Sequence, residues 1–178
     1  MAEPWSSDSE APSPVAPLDY AQRARTQGEI VVGRLSHEGR RILSLAEDEA
    51  RTGDSDHLGT EHVVLGILGH QAGAASVLLR SVGVSREVFV AQLYEEDGHA
   101  PQQGIPLTPR SWMIIALAGT ATSGPVGGLH LLRGVMEESD EWHASGRPGP
   151  HHLRRACDAA GVEWADLRQA VSQRLPAS

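Results

Sequence analysis

The chain has 178 residues and 40% hydrophobic content, enough for one packed domain and a tail, but with only 4% aromatics its core must be built mostly from Leu, Val, Ile and Ala. A formal charge of −8 argues against a nucleic-acid backbone or an anionic membrane as the main partner, because both select clustered positive charge. All 15 basic residues are arginine, which excludes lysine Schiff bases, lysine nucleophiles and a lysine-bearing phosphate loop. The single cysteine, Cys157, has no internal disulfide partner and suits a reducing compartment. With no apolar run of about 18 residues and no charged-then-apolar start, neither a membrane span nor a secretory signal is indicated, and the expected location is cytoplasmic.

Residues 1–17 hold four prolines, four serines and three acids with little periodicity, and read as a disordered tail. Tyr20, Ala24 and Ile30 to Val32 suggest further local structure, but Gly28 and Gly33 interrupt it. The whole of 1–33 is therefore expected to be a largely disordered extension, with the folded part starting at Arg34. Ser36 is a natural N-cap for an amphipathic helix that carries Ile42, Leu45, Ala46 and Ala50 and ends near Thr52-Gly53. Thr60 is placed to cap a short, mostly apolar helix from Glu61 to Leu68. A third helix covers Gln71 to Val82, closed by Gly83, and Ser85 starts a fourth that runs to about Gly98. Residues 99–107 form a Pro/Gly/Gln linker. Thr108-Pro109 then restarts the pattern with an N-cap before a proline at the first helical position. Helices follow over Trp112 to Ala121, Leu129 to Glu138, His151 to Ala160 and Glu163 to Arg174, with an irregular connection from Ser139 to Pro150.

The two halves repeat one another. Gly59-Thr-Glu-His-Val-Val-Leu-Gly-Ile-Leu68 is restated at Gly127-Gly-Leu-His-Leu-Leu-Arg-Gly-Val-Met136, with an offset of 68 from His62 to His130 and from Gly66 to Gly134. Ser36 to Thr108 is an offset of 72, and Gly83 to Gly161 one of 78, so the drift falls in loops. The fold expected is all-α: two four-helix units, 34–98 and 108–175, forming a pseudo-twofold eight-helix bundle.

The segments Leu35-Ser-His-Glu-Gly-Arg-Arg-Ile-Leu-Ser-Leu-Ala46, Gly59-Thr-Glu-His62, Ser81-Val-Gly-Val84 and Ile105-Pro-Leu-Thr-Pro-Arg110 resemble the N-terminal domain of ClpC-type and ClpA-type unfoldases. The resemblance extends over Arg34 to Arg174 and is weaker beyond Leu117. It implies a module that receives substrates and adaptors for a hexameric ATPase, here free-standing, with no cofactor and no ATP hydrolysis of its own. Its implied partners are Clp components, their substrates and adaptors, rather than nucleic acid or membrane.

The helix start at Ser36 offers unpaired N–H groups and a dipole end that suit an anion, and Glu61 in the first turn of its helix suits a cation. In the resembled domain phosphoarginine is such a ligand. The resemblance sets its phosphate at Leu35 and Ser36 and its guanidinium at Glu61. The alternative is that Glu61 merely complements its own helix dipole, worth roughly 0.3–1 kcal/mol. Leu107 and Thr108 form a possible second anion seat, but Leu129 stands in place of the acid and Gly128 in place of the threonine, so one site is expected rather than two. Val32, Arg40, Leu107 and Trp112, with Ala116 nearby, fall where some family members bind cyclic peptide antibiotics between the repeats; packing of the two halves is the competing reading. His62 and His130 read as buried structural histidines, and the adjacent His151 and His152 are poorly spaced for a metal. Cys157 reads as core, and Glu95 to Asp97 and Glu137-Glu138 as solvated helix ends. No metal motif or catalytic pair is visible. The function expected is a non-enzymatic binding protein that modulates a ClpC-type protease, with sequestration of cyclic peptide antibiotics as the alternative and an unrecognised enzyme behind both.

Overall fold

The computed structural model describes residues 17–93, 105–147 and 151–175. Within them lie nine helices: α1 (Pro17–Val32), α2 (His37–Thr52), α3 (Thr60–Gly69), α4 (Ala74–Ser81), α5 (Arg86–Val90), α6 (Pro109–Thr120), α7 (Gly128–Ala144), α8 (His152–Ala160) and α9 (Trp164–Arg174). Extended pairing among these residues amounts to two isolated bridges, so the fold is all-α as expected.

The first helices of the two repeats, α2 and α6, begin alike. Ser36 Oγ accepts the Gly39 N–H at 3.0 Å, and Thr108 Oγ1 accepts the Ser111 N–H at 3.1 Å, with Pro109 at the first position of α6. On α2 the buried residues are Gly39, Ile42, Ala46 and Ala50, one stripe at helical spacing. Each of these helices then meets the apolar helix of its own half, α3 or α7, at a glycine. A Cβ on Gly66 would strike the Ile42 carbonyl and stand 2.9 Å from Ala46 N; one on Gly134 would strike the Ile114 carbonyl and stand 3.0 Å from Ala118 N. These are the same contact at offsets of 68 and 72, so the duplication read from the sequence is a duplication of packing.

What joins the halves is a pair of parallel bridges, Leu35 with Val126 and Leu58 with Leu107. In the first, Ser36 N–H donates to Val126 O at 3.0 Å and Val126 N–H to Arg34 O at 2.9 Å. In the second, Thr108 N–H donates to Leu58 O at 3.1 Å and Leu58 N–H to Pro106 O at 2.8 Å. The offsets of 72 and 68 carry one set onto the other, which is the signature of a pseudo-twofold axis. Each bridge therefore sets the start of α2 or α6 from one half against the start of the apolar helix, α7 or α3, of the other. Around them the main core is aliphatic, with Phe89 fully buried among Leu, Val and Ile and with Cys157 inside it, its thiol pushed up to about 11 by burial.

Several expectations are corrected. Residues 17–32 form a helix, so the ordered chain begins well before Arg34. Gly28 does not break it, because α1 packs closely on Trp112 of α6 there, and Ala24 is fully buried against Met113 and Ala116. The apolar helix of the second half does not stop at Glu138 but runs to Ala144, taking in residues assigned to an irregular connection. Glu138 is 2% exposed, an inward residue rather than a solvated helix end. The third helix starts at Ala74 rather than Gln71. Gly83 and Gly161 do adopt left-handed conformations, at φ +91° and +69°. Glu95 to Asp97 and most of the 99–107 linker lie outside the described residues.

Candidate functional site

The bridges create two seams, and they differ in charge. At the first, the start of α2 lies against the start of α7. Leu35 is 4% exposed, and only its backbone takes part. Ser36 lies beside Gly127, where a Cβ would stand 3.5 Å from Ser36 Oγ. Glu38 turns across the seam, and its Oε2 accepts the Gly128 N–H at 2.9 Å. A carboxylate of the chain itself thus sits on the positive end of α7, the position an external anion would otherwise take. Leu129 follows in the first turn of α7 and packs at the edge of the core.

At the second seam the start of α3 lies against the start of α6. Gly59, not Thr60, is the N-cap of α3. His62 takes the part of the third-residue side chain of a capping box: its Nδ1 lies 3.0 Å from the Gly59 N and also 2.9 Å from Glu61 Oε1. A bare Nδ1 accepts the Gly59 N–H, and an Nδ1 that carries hydrogen donates to Glu61 instead. His130 accepts the Gly127 N–H in the same way, at 3.2 Å, with a leucine where Glu61 stands, so accepting is the role common to both halves. The Glu61 side chain is 19% exposed and folds back over Gly59, where any Cβ would collide with its carboxylate. It does not reach freely into solvent. Burial pushes its carboxyl up, but the hydrogen bond and charge of His62 outweigh this and hold it below the ordinary carboxylate value.

Behind Glu61 lies an ion pair that sequence reasoning missed. Arg110 in the first turn of α6 grips Glu138 through Nε–Oε1 at 2.5 Å and Nη2–Oε2 at 2.9 Å, and its guanidinium stands 4.6 Å from the Trp142 ring centroid. Burial raises the Glu138 carboxyl despite the guanidinium. The available signal was spacing: Leu131, Val135 and Glu138 fall on one face of a helix, provided α7 is recognised to continue. Thr60, Glu61, Arg110, Glu138, His151 and His152 line a cavity of ≈ 20 Å³, room for a single water. Ser139 Oγ and His151 Nδ1 are 3.4 Å apart, but Ser139 is 6% exposed in the middle of α7, out of reach of a substrate carbonyl. Among the described residues no group of three or more His, Cys, Asp or Glu side chains is arranged to hold a metal.

The structure thus divides the residues that the sequence grouped together. Leu35 and Ser36 belong to the first seam, with Glu38 and Gly127, whereas Glu61 belongs to the second, with Arg110 and, across the Leu58–Leu107 bridge, Thr108. The crossing of the bridges, a relation between residues 91 and 49 positions apart in the chain, decides this, and local spacing carries no trace of it. Of the proposed inter-repeat groove, Val32 is 38% exposed at the end of α1, Arg40 is exposed on α2, Leu107 is half-buried in its bridge, and Trp112 lies beneath α1.

The chain matches, over residues 34–145, the family described as the Clp repeat (R) N-terminal domain. It is 32% identical over 149 residues to the "ATP-dependent Clp protease ATP-binding subunit ClpA homolog" of Cyanidium caldarium, a match covering 80% of this chain and 16% of that protein. It is 28% identical over 152 residues to "Negative regulator of genetic competence ClpC/MecB" of Bacillus subtilis, covering 82% and 18%. With the "ATP-dependent Clp protease ATP-binding subunit ClpC" of Staphylococcus saprophyticus it shares 29% identity over 117 residues, covering 62% and 14%. The chain therefore spans less than a fifth of the length of these relatives.

Proposed function

The chain belongs to the Clp repeat N-terminal domain family, and from that premise we propose that it is a non-enzymatic binding module of a Clp system, engaging substrates or adaptors of a ClpC-type unfoldase. Phosphoarginine is the ligand for which the second seam is best suited. The observation that carries this is the meeting there of Glu61, an ionised carboxylate, with the capped start of α6 at Leu107 and Thr108. A carboxylate for a guanidinium stands beside a helix start for a phosphate. The reading pairs Glu61 with Leu107 and Thr108 rather than with Leu35 and Ser36, because the latter two lie at the other bridge. The first seam offers Leu129 in place of an acid and already holds Glu38 on its helix start. Sequestration of cyclic peptides is disfavoured, since Trp112 of the groove is covered by α1.

Calorimetry with free phosphoarginine tests the assignment. Glu61→Ala should weaken binding by roughly 1.5–3 kcal/mol, the scale of a hydrogen bond to a charged group. Unchanged affinity would remove Glu61 from the site. Retention of a ClpC-type unfoldase on the immobilised chain tests the wider reading, which an absence of any Clp component or substrate in the complex would contradict.

A further inference from the structure

The outer face of α6 is built unlike its counterpart in the first half. Shifted by 72, Trp112, Met113, Ala116 and Gly119 correspond to Arg40, Arg41, Ser44 and Glu47 on α2. On α2 that face is solvated, with Arg40, Arg41 and Ser44 exposed. On α6 it is covered, with Met113 and Ala116 buried and Trp112 half-buried. A helix apolar on both sides needs two partners. The main core is one, and α1 is the other.

The contact is fitted rather than incidental. α1 presents Tyr20, Ala24, Gly28 and Val31 along one side, at helical spacing, and exposes Gln22, Arg23, Arg25 and Gln27 on the other. A Cβ on Gly28 would stand 2.6 Å from Trp112 Cε3 and 2.9 Å from Trp112 O, and a Cβ on Gly119 would strike Val31. Small residues four apart, Ala24 and Gly28, let the helices approach at a distance larger side chains forbid. Tyr20 closes the far end, edge-on to Trp142 at 5.9 Å between centroids and 5.4 Å from the Arg147 guanidinium.

The same contact is separable from the rest of the fold. Ala24, Met113 and Ala116 form a small apolar cluster distinct from the main core, to which α1 contributes only Val31. Among the helices, α6 is the element against which α1 packs its backbone. Arg34, which ties this end of the chain to the carbonyls of Gly119, Thr122 and Gly124, lies beyond α1 and stays in place if α1 leaves. The match to the family model begins at residue 34, so α1 lies outside the span it matches.

We propose that the outer face of α6 is a helix-receiving surface, held shut in cis by α1, whose partner in trans is an amphipathic helix with small residues at i and i+4, the chemistry α1 displays at Ala24 and Gly28. Displacement of α1 exposes Trp112, Met113 and Ala116 and takes only Val31 from the main core. The proposal goes beyond the Clp assignment and does not depend on phosphoarginine binding at the second seam.

Two measurements on the full chain test it, and neither contains a Clp protein or phosphoarginine, so its failure is distinguishable from failure of the proposed function. In native-state hydrogen exchange, the amides of residues 24–31 should open locally, with a smaller free energy and a weaker denaturant dependence than the amides of α7. Exchange of both segments only through the same global opening would overturn the proposal. In the second, a labelled peptide of residues 17–34 is titrated against wild type and against Gly28→Glu, whose folding is checked by circular dichroism. The peptide should bind the variant at least tenfold more tightly than wild type, and a peptide carrying Gly28→Glu should bind neither. Equal binding to both proteins, or no binding to a folded variant, would overturn it, and if the variant does not fold the exchange result on wild type decides.

Discussion

Glu138 and Arg110 show at the scale of single residues how a duplicated scaffold acquires asymmetry. The offset of 72 makes Arg110 the counterpart of Glu38, so one seam carries a carboxylate and the other a guanidinium at the same structural position. Arg110 is 15% exposed and Glu138 2%, and removal of either partner strands a charge away from water. Glu138→Ala should therefore cost about 3–5 kcal/mol in urea unfolding, whereas the double change Arg110→Met with Glu138→Leu should cost much less. A Glu138→Ala loss under 1 kcal/mol would mean that water reaches Arg110. Glu61 adds a pH dependence whose sign follows from its lowered carboxyl: the stabilisation is present above the ordinary value of 4.5 and is lost as pH falls through the lower folded value. Glu61→Gln should lower stability in the neutral range while leaving the acid end nearly unchanged, so that the acid limb below about 4.5 is flattened. An acid limb as steep as wild type would place the depression elsewhere.

At the scale of helices, the crossings at Gly66 and Gly134 make a paired prediction. Alanine at either position drives a methyl into a backbone carbonyl that cannot turn aside, and each should destabilise by about 1–3 kcal/mol or more in thermal or urea melts. Gly69→Ala, whose methyl would meet only Leu45 Cδ1 at 3.7 Å, should not destabilise by that mechanism. The N-caps Ser36 and Thr108, the apolar stripe of α2 and the left-handed Gly83 and Gly161 were all legible, because capping, periodicity and positive φ are local properties written in neighbouring residues. α1 was not legible from its own residues, since Gly28 reads as a helix breaker until Trp112 stands opposite it. The continuous apolar run Trp112 to Ala118 held the missing hint, as it leaves α6 without a solvated face. The extension of α7 past Glu138 was hidden for a similar reason: its acids look solvated until Arg110 is brought in from another helix.

For the molecule as a whole, the repeat could be read but not the crossing of its halves. Glycine, histidine and aliphatic positions matched in register, and the structure returns them as equivalent contacts, including His62 and His130 on the N–H groups of Gly59 and Gly127. Cys157 gives a check on the integrity of that joint core. With the thiol fully buried and pushed up to about 11, modification by a disulfide reagent at pH 8 should proceed only at the rate of unfolding, and fast labelling of the native chain would contradict the packing of α8. Which residues stand together depended on the parallel bridges, and the Leu58–Leu107 bridge sets the half that carries Glu61 against the helix start at Thr108 rather than the one at Ser36. The resulting account is of a symmetric frame with one equipped seam. Its most direct test is the stoichiometry of phosphoarginine binding to the full chain by calorimetry: the account predicts a value near one that is abolished in Glu61→Ala, and a value near two, or one that survives the substitution, would contradict it.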